Sequence, residues 1–180
     1  GADNGTAEAS DGASFTLTGR VSTDCAYYSG NNNSETLDFG TIGIYATDGN
    51  GPNNAFRMVT PANVTIATNL AGCNTANTVR IAKTDVRGLV SDNVSGWDSD
   101  VFQNNLPYSV TARYKASAPG APNPGQDQTL VVSGAVDQNS RQHGAWKSAM
   151  ALDVSIPRAA KALVAGTYTG TFGVTISAGL

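Results

Sequence analysis

The most regular feature of the chain is a period-two alternation of apolar and polar residues in short segments, with no long helical stripe. Successive side chains of a β-strand point to opposite faces, so this alternation is typical of half-buried strands. Turn-forming stretches rich in Gly, Asn, Asp, Ser and Pro separate the segments. The pattern predicts an all-β sandwich. Its eight predicted strands cover residues 13–22, 36–46, 63–70, 77–84, 107–116, 128–136, 149–157 and 166–180.

The N-terminal segment 13–22 has the cleanest alternation. Ser, Thr and Arg occupy one side of the extended chain, and the other side carries Ala13, Phe15, Leu17, Gly19 and Val21. We predict an N-terminal extension at residues 1–22 and one sandwich domain at residues 23–180. Two interpretations fit the segment: it is the first strand of a complete, monomeric sandwich, or it is a donor strand that completes the sheet of a neighbouring copy.

Two connections are longer than a compact sandwich needs. Residues 85–105, which contain Trp97, and the Pro-rich residues 116–128 are predicted to decorate the surface or to cover a sheet edge. Residues 157–164 have a composition that suits one helical turn but are too few for a stable helix on their own.

Charge excludes two classes of partner. Only 14% of the residues are charged and the formal net charge is -3, so the chain offers no basic field for a nucleic acid or an anionic membrane. No apolar run approaches the roughly 20 residues that span a bilayer. We therefore predict no nucleic-acid partner and no membrane insertion, and we expect a mature soluble protein whose signal peptide has been removed.

The two cysteines, Cys25 and Cys73, lie in no zinc or CxxC-type motif. A structural disulfide and a pair of buried free thiols both fit this spacing, and the disulfide is the favoured interpretation. A disulfide would place the chain in an oxidising compartment.

No group of residues predicts catalysis. The only histidine, His143, lies in a polar, turn-like segment and is predicted to be a solvated residue and not a base. A solvated loop is likewise favoured over an active site or a calcium site for Asp92, Asp98 and Asp100, and ordinary turn chemistry for residues 48–51. The chain has no nucleotide-binding loop. We predict no enzyme activity, no cofactor and no bound metal.

Four motifs, taken in their order along the chain, resemble those of the spore-coat protein U and archaic chaperone–usher pilin family. They are VSTDC at residues 21–25, LDFG at 37–40, VTIATNLAGC at 64–73 and AGTYTGTFGVTI at 165–176. Members of that family are similar in having a donor strand just before the first cysteine, a second cysteine after a central strand, and a closing two-faced strand.

The resemblance implies an incomplete immunoglobulin-like β-sandwich, completed by residues 13–22 of a neighbouring subunit. It implies an extracellular pilus, serving adhesion or biofilm formation, in which identical subunits join head to tail. Before assembly, a periplasmic chaperone and an outer-membrane usher would be the partners. The predicted acceptor groove lies along the apolar face of the last strand, at Tyr168, Phe172, Val174 and Ile176.

Two other functions remain compatible with the sequence. One is a non-enzymatic coat protein. The other is a secreted, monomeric carbohydrate-binding sandwich, in which Trp97 or Trp146 would stack against a sugar ring.

Overall fold

The computed structural model describes residues 10–28, 37–45, 51–120 and 122–180. This described part is all-β, and none of it forms a helix long and apolar enough to cross a membrane. Its strands are β1 (Cys25–Tyr27), β2 (Ala62–Cys73), β3 (Asn77–Lys83), β4 (Leu89–Ser91), β5 (Phe102–Gln103), β6 (Asn105–Leu106), β7 (Ser109–Ala116), β8 (Gln126–Val132), β9 (Gln138–His143), β10 (Trp146–Ile156), β11 (Ala162–Leu163), β12 (Tyr168–Thr169) and β13 (Phe172–Ala178).

Two antiparallel sheets share one hydrophobic core, as the alternating pattern predicts. The first sheet has the strand order β1-β2-β10-β7-β8, and the second has the order β13-β3-β9. Inward-facing residues of the central strands are buried, among them Val110, Leu152 and Ile81. A smaller sheet, β12-β4-β6, and a parallel pair, β11-β5, lie outside these two sheets.

Cross-strand pairs define the two ends of the sandwich. Cys25 lies directly opposite Cys73, and a disulfide joins them. Cys73 in turn faces Trp146, whose indole Nε1 donates a hydrogen bond to Asn77 Oδ1 in the second sheet at 2.9 Å. We call this the disulfide end, and we call the opposite end, where Phe172 pairs with Lys83, the far end. The disulfide confirms the favoured pairing and indicates an oxidising, non-cytoplasmic compartment.

The prediction of a solvated His143 is wrong. The residue closes β9 with only 1% of its surface exposed. Its Nε2 lies 2.6 Å from the Tyr114 hydroxyl, and its ring packs against the Trp146 ring. The strand that contains it, Gln138–His143, has only polar residues, so its sequence shows no apolar alternation. Five of its six residues are exposed. The strand forms instead by pairing with β3 along its whole length.

His143 makes the stability of the fold sensitive to pH. Burial lowers the pKa of His143 below its ordinary value of 6.5; a backbone hydrogen bond with Ser117 opposes this effect, and the charge of Arg141 adds to it. The folded state therefore binds the proton less readily than the unfolded state does. We expect the contribution of the neutral His143 to the free energy of unfolding to be fully present above about pH 6.5. This contribution is lost as the pH falls below that value.

Urea unfolding between about pH 7.5 and about pH 5.5 measures this loss, since carboxylates stay ionised over that range. The chain has one histidine, so His143→Gln should remove the pH dependence. An unfolding free energy of the unaltered chain that is constant over the range contradicts the assignment.

Three further segments differ from the predicted elements. Within residues 37–45, the only β pairing among the described residues is an isolated bridge between Ile44 and Met58; residues 36 and 46 lie outside the described residues. Residues 157–164 form no helical turn, because Ala162–Leu163 pair as β11 with β5. Residues 85–105 contain three short strands, so they are part of the sheet structure and not only surface decoration.

Candidate functional site: an open apolar groove

One edge of the sandwich is closed by side chains. There, β8 and β9 follow each other along the chain and lie side by side at the edges of the two sheets. Asn139 Nδ2 donates a hydrogen bond to the Val131 carbonyl at 2.9 Å, and Arg141 donates one to Gln128 Oε1 at 3.2 Å. This edge is covered without a further strand.

The opposite edge is open. It is formed by β2 of the first sheet and β13 of the second, and each of these strands has a neighbour strand on only one side over most of its length. At the disulfide end, β1 pairs with residues 71–73 of β2 and contacts β13. Beyond β1, no described strand pairs with the outer edge of β2, the edge away from β10, between Ala62 and Asn69, or with the outer edge of β13. Among the described residues, the gap between the two strands is therefore open towards the far end.

The apolar rows that border this gap are only half-buried. On β2 they are Val64 and Ile66, and on β13 they are Phe172, Val174 and Ile176. By contrast, Val79 and Ile81, in the middle strand of the second sheet, have no exposed surface. An edge strand with a half-buried apolar row has room for another strand beside it.

The gap is a groove with a volume of about 810 Å³. It is lined by residues of both sheets and by the chain between β12 and β13. No lining residue carries a charged side chain among those described, and the large apolar and aromatic ones are Tyr27, Tyr28, Leu37, Phe39, Ile66, Leu89, Tyr108, Leu152, Val154, Tyr168, Phe172 and Val174. We call this the groove.

Three of the predicted acceptor residues line the groove: Tyr168, Phe172 and Val174. Ile176 lies further along β13 towards the disulfide end, where it packs half-buried against the core. Tyr168 lies on the separate strand β12, and its hydroxyl donates to the Val164 carbonyl at 2.6 Å. The sequence pattern predicts all four on one strand, because the alternation continues across Gly170 without interruption.

The other residues of the groove, which the sequence pattern does not identify as groove residues, come from other strands. Ile66, Leu152 and Val154 belong to predicted strands, but their pattern shows only that they face inward. Tyr108 belongs to the predicted strand 107–116 in the same way, whereas Leu89 begins the short strand β4, which the sequence does not predict. No local signal distinguishes a core residue from one on the floor of a groove, since both need an apolar side chain.

The titratable groups of the groove are tyrosines. Burial raises the pKa of Tyr108 to about 12, and burial also raises the pKa of Tyr168. The Lys83 ammonium lies 4.7 Å from the centre of the Tyr108 ring. Burial lowers the pKa of Lys83, and the charge of the nearby Asp137 opposes this effect. Phenols with such values hold their protons at neutral pH. The described lining of the groove therefore carries no charge at neutral pH.

The N-terminal segment is exposed. Residues 10–24 belong to no strand and are exposed throughout. The three largest apolar side chains are the most exposed of all, with Phe15 at 86%, Leu17 at 93% and Val21 at 90%. Residues 1–9 lie outside the described residues. The structure thus places the two-faced segment outside the sheets of its own chain.

Asn74 holds the chain where the exposed segment joins β1. Its side-chain Oδ1 accepts a hydrogen bond from the Asp24 amide at 2.9 Å, and its Nδ2 donates to the Ser22 carbonyl at 2.8 Å. The Asn74 amide donates to the Asp24 carbonyl at 3.0 Å. Three hydrogen bonds thus fix the point at which the segment leaves the disulfide end.

The remaining candidate residues do not assemble into a site. Trp146 is buried and hydrogen-bonded to Asn77, so it offers no stacking surface. Asp92 accepts a hydrogen bond from the Thr167 amide at 2.9 Å, and Asp98 accepts one from the Asp100 amide at 3.0 Å. The described residues contain no group of three or more His, Cys, Asp or Glu side chains that could hold a metal; Asp48 and Asn50 lie outside them.

Comparison of the chain with models of protein families, with characterised proteins and with solved structures finds no match.

Proposed function

We propose that this protein is a structural subunit of an extracellular pilus that polymerises by donor-strand exchange: residues 13–22 of one copy occupy the groove of the next. The observation that carries the proposal is the exposure of Phe15, Leu17 and Val21 on a chain that also has an uncharged, open groove. The resemblance to archaic chaperone–usher pilins supports the same assignment.

The two surfaces are complementary in chemistry. Alternate residues of an extended segment point to one face, so Phe15, Leu17 and Val21 would all face the groove floor. Burying these three side chains contributes about 5 to 9 kcal/mol. The outer edges of β2 and β13 offer backbone groups to a strand laid between them, and each hydrogen bond adds about 1 kcal/mol. Thr16, Thr18 and Arg20 would face solvent.

The geometry favours the groove of another copy. The segment leaves at the disulfide end, where Asn74 fixes Ser22 and Asp24 and where β1 already occupies the space between β2 and β13. To reach its own groove, the segment would have to reverse its direction within the fixed stretch and pass β1. A second copy presents no such obstacle.

The same geometry gives the donor strand a direction. Because β1 blocks the disulfide end of the groove, the incoming segment is inserted from the far end, with Ala13 deepest and Val21 nearest the donor. β13 runs from Phe172 at the far end to Ala178 at the disulfide end, so the donor lies antiparallel to it. Such a contact joins two different surfaces and does not close on itself, and its product is a fibre.

Electron microscopy and size-exclusion chromatography of the purified protein test the proposal. We expect the full chain to form fibres and the chain lacking residues 1–22 to form none while keeping the disulfide and the β-sheet circular dichroism spectrum. Fibres that persist after the deletion contradict the proposal. A full chain that stays monomeric, with residues 13–22 protected from proteases, contradicts it too and favours the monomeric carbohydrate-binding alternative.

A further inference from the structure

The chain segment at residues 37–42 lies over part of the groove. Leu37 and Phe39 line the groove, and both are half-buried against the core. They are two residues apart, so they point to the same side of an extended chain, as Phe15 and Leu17 do in the N-terminal segment. Asp38 between them is exposed. We call residues 37–42 the strap.

Side chains hold the strap in place. No backbone hydrogen bond joins residues 37–42 to another described residue, and they belong to no strand. By contrast, the following residues are tied to their neighbours: the Gly43 carbonyl accepts a bond from the Val59 amide at 3.0 Å, and the Tyr45 amide donates to the Arg57 carbonyl at 2.9 Å. The strap is therefore bound to the groove by apolar contact, next to a firmly paired anchor.

A turn limits how much of the groove the strap covers. Gly40 has a φ of 68°, in the left-handed region that favours glycine, and its amide donates to Asp38 Oδ1 at 2.7 Å. The chain therefore changes direction directly after Phe39, and two side chains of the strap contribute to the groove lining. The strap covers part of the groove lining, and no described strand pairs with the outer edge of β13 or with the outer edge of β2 between Ala62 and Asn69.

We propose that the strap is an internal placeholder, which shields the groove of a subunit that has no donor and withdraws Leu37 and Phe39 when a donor strand is inserted. This inference rests on the proposed function and adds a regulatory step to it. A donor strand supplies both apolar side chains and backbone hydrogen bonds, whereas the strap supplies apolar side chains, so the donor wins the competition. The strap then sets the rate at which the groove becomes free.

The test uses a full-length acceptor and a synthetic donor. Leu17→Asp keeps the acceptor's own segment from acting as a donor, and a fluorescent peptide of residues 10–24 is then added. We expect Phe39→Ala in this background to raise the rate of peptide uptake about tenfold, because half of a phenylalanine burial must no longer be broken. Leu37→Ala, a milder change, should raise the rate as well, and Thr41→Ala, at an exposed position of the strap, should leave it unchanged.

Hydroxyl-radical footprinting gives a second readout that needs no substitution in the strap. We expect oxidation of Phe39 and Leu37 to increase when the peptide binds. Uptake at an unchanged rate in both strap variants, with Phe39 equally protected before and after binding, overturns the placeholder role. If the Leu17→Asp chain binds no peptide at all, the proposed function fails instead, so the two failures are distinguishable.

Discussion

A chain carrying Leu17→Asp is expected to form no fibres, whereas a chain carrying Thr18→Asp forms fibres like the unaltered protein. Both substitutions add one negative charge to the same exposed segment. They differ in the face they alter: Leu17 belongs to the apolar row and Thr18 to the polar one. In the proposed contact, an aspartate at position 17 would lie in a groove whose described lining carries no charged side chain.

The physical reason for the large effect is twofold. The substitution removes the burial of a leucine side chain, about 1.5 to 3 kcal/mol. It also transfers a carboxylate from water to an apolar site, which costs several kcal/mol more unless the group takes up a proton. Together, these two costs are similar in size to the free energy gained by burying Phe15, Leu17 and Val21. The equilibrium therefore shifts to free subunits.

Negative-stain electron microscopy and size-exclusion chromatography at equal protein concentration measure the outcome. Leu17 is 93% exposed in the single chain, so neither substitution should alter the melting temperature of a subunit, and this serves as the folding control. Fibres of normal length from the Leu17→Asp chain contradict the donor role of the segment. Loss of fibres in both variants contradicts the proposal that Leu17 faces the groove while Thr18 faces solvent.

Loss of the disulfide is expected to lower the free energy of unfolding by about 4 kcal/mol. The bond joins residues 48 positions apart, and the entropy of closing a loop of this size in the unfolded chain gives that magnitude. Cys25 and Cys73 also lie directly opposite each other at the point where β1 pairs with β2. Removing the bond therefore weakens the attachment of β1 as well.

The double substitution Cys25→Ser with Cys73→Ser provides the measurement, made by urea unfolding in the Leu17→Asp background so that only single subunits are present. The Leu17→Asp chain that keeps both cysteines should, after treatment with a thiol reductant, unfold at the same urea concentration as the double cysteine variant. The double variant itself should not respond to the reductant. An unfolding free energy equal to that of the disulfide-bonded chain contradicts the prediction.

The alternation of the sequence predicts most of the strands of the two main sheets. β7 and the part of β10 from Met150 to Ile156 carry an apolar residue at every second position, and those residues are buried in the structure. The pattern fails where a strand forms through its neighbour alone. Gln138–His143 has exposed polar residues and pairs with β3 at the edge of its sheet. Its backbone hydrogen bonds to β3 hold it in place, and no pattern of side chains in its own sequence indicates them.

The candidate site was predictable in part. The sequence of the last strand predicts Phe172 and Val174 as groove residues, because they belong to a regular alternation of apolar and polar residues. Tyr108, Leu152 and Leu89 come from distant parts of the chain, and nothing in their local sequence relates them to β13. Only the packing of two sheets brings such residues to one groove.

By itself, the sequence determined the all-β class, the disulfide as the favoured pairing and the two-faced character of residues 13–22, because each depends on residue type and spacing within a short stretch. The tertiary structure alone decided that one edge of the sandwich is closed by β8 and β9 and the other is open. It also decided that Phe15 and Leu17 face solvent in the single chain. Whether an apolar row is buried depends on which strands lie beside it, and that is a property of the folded chain.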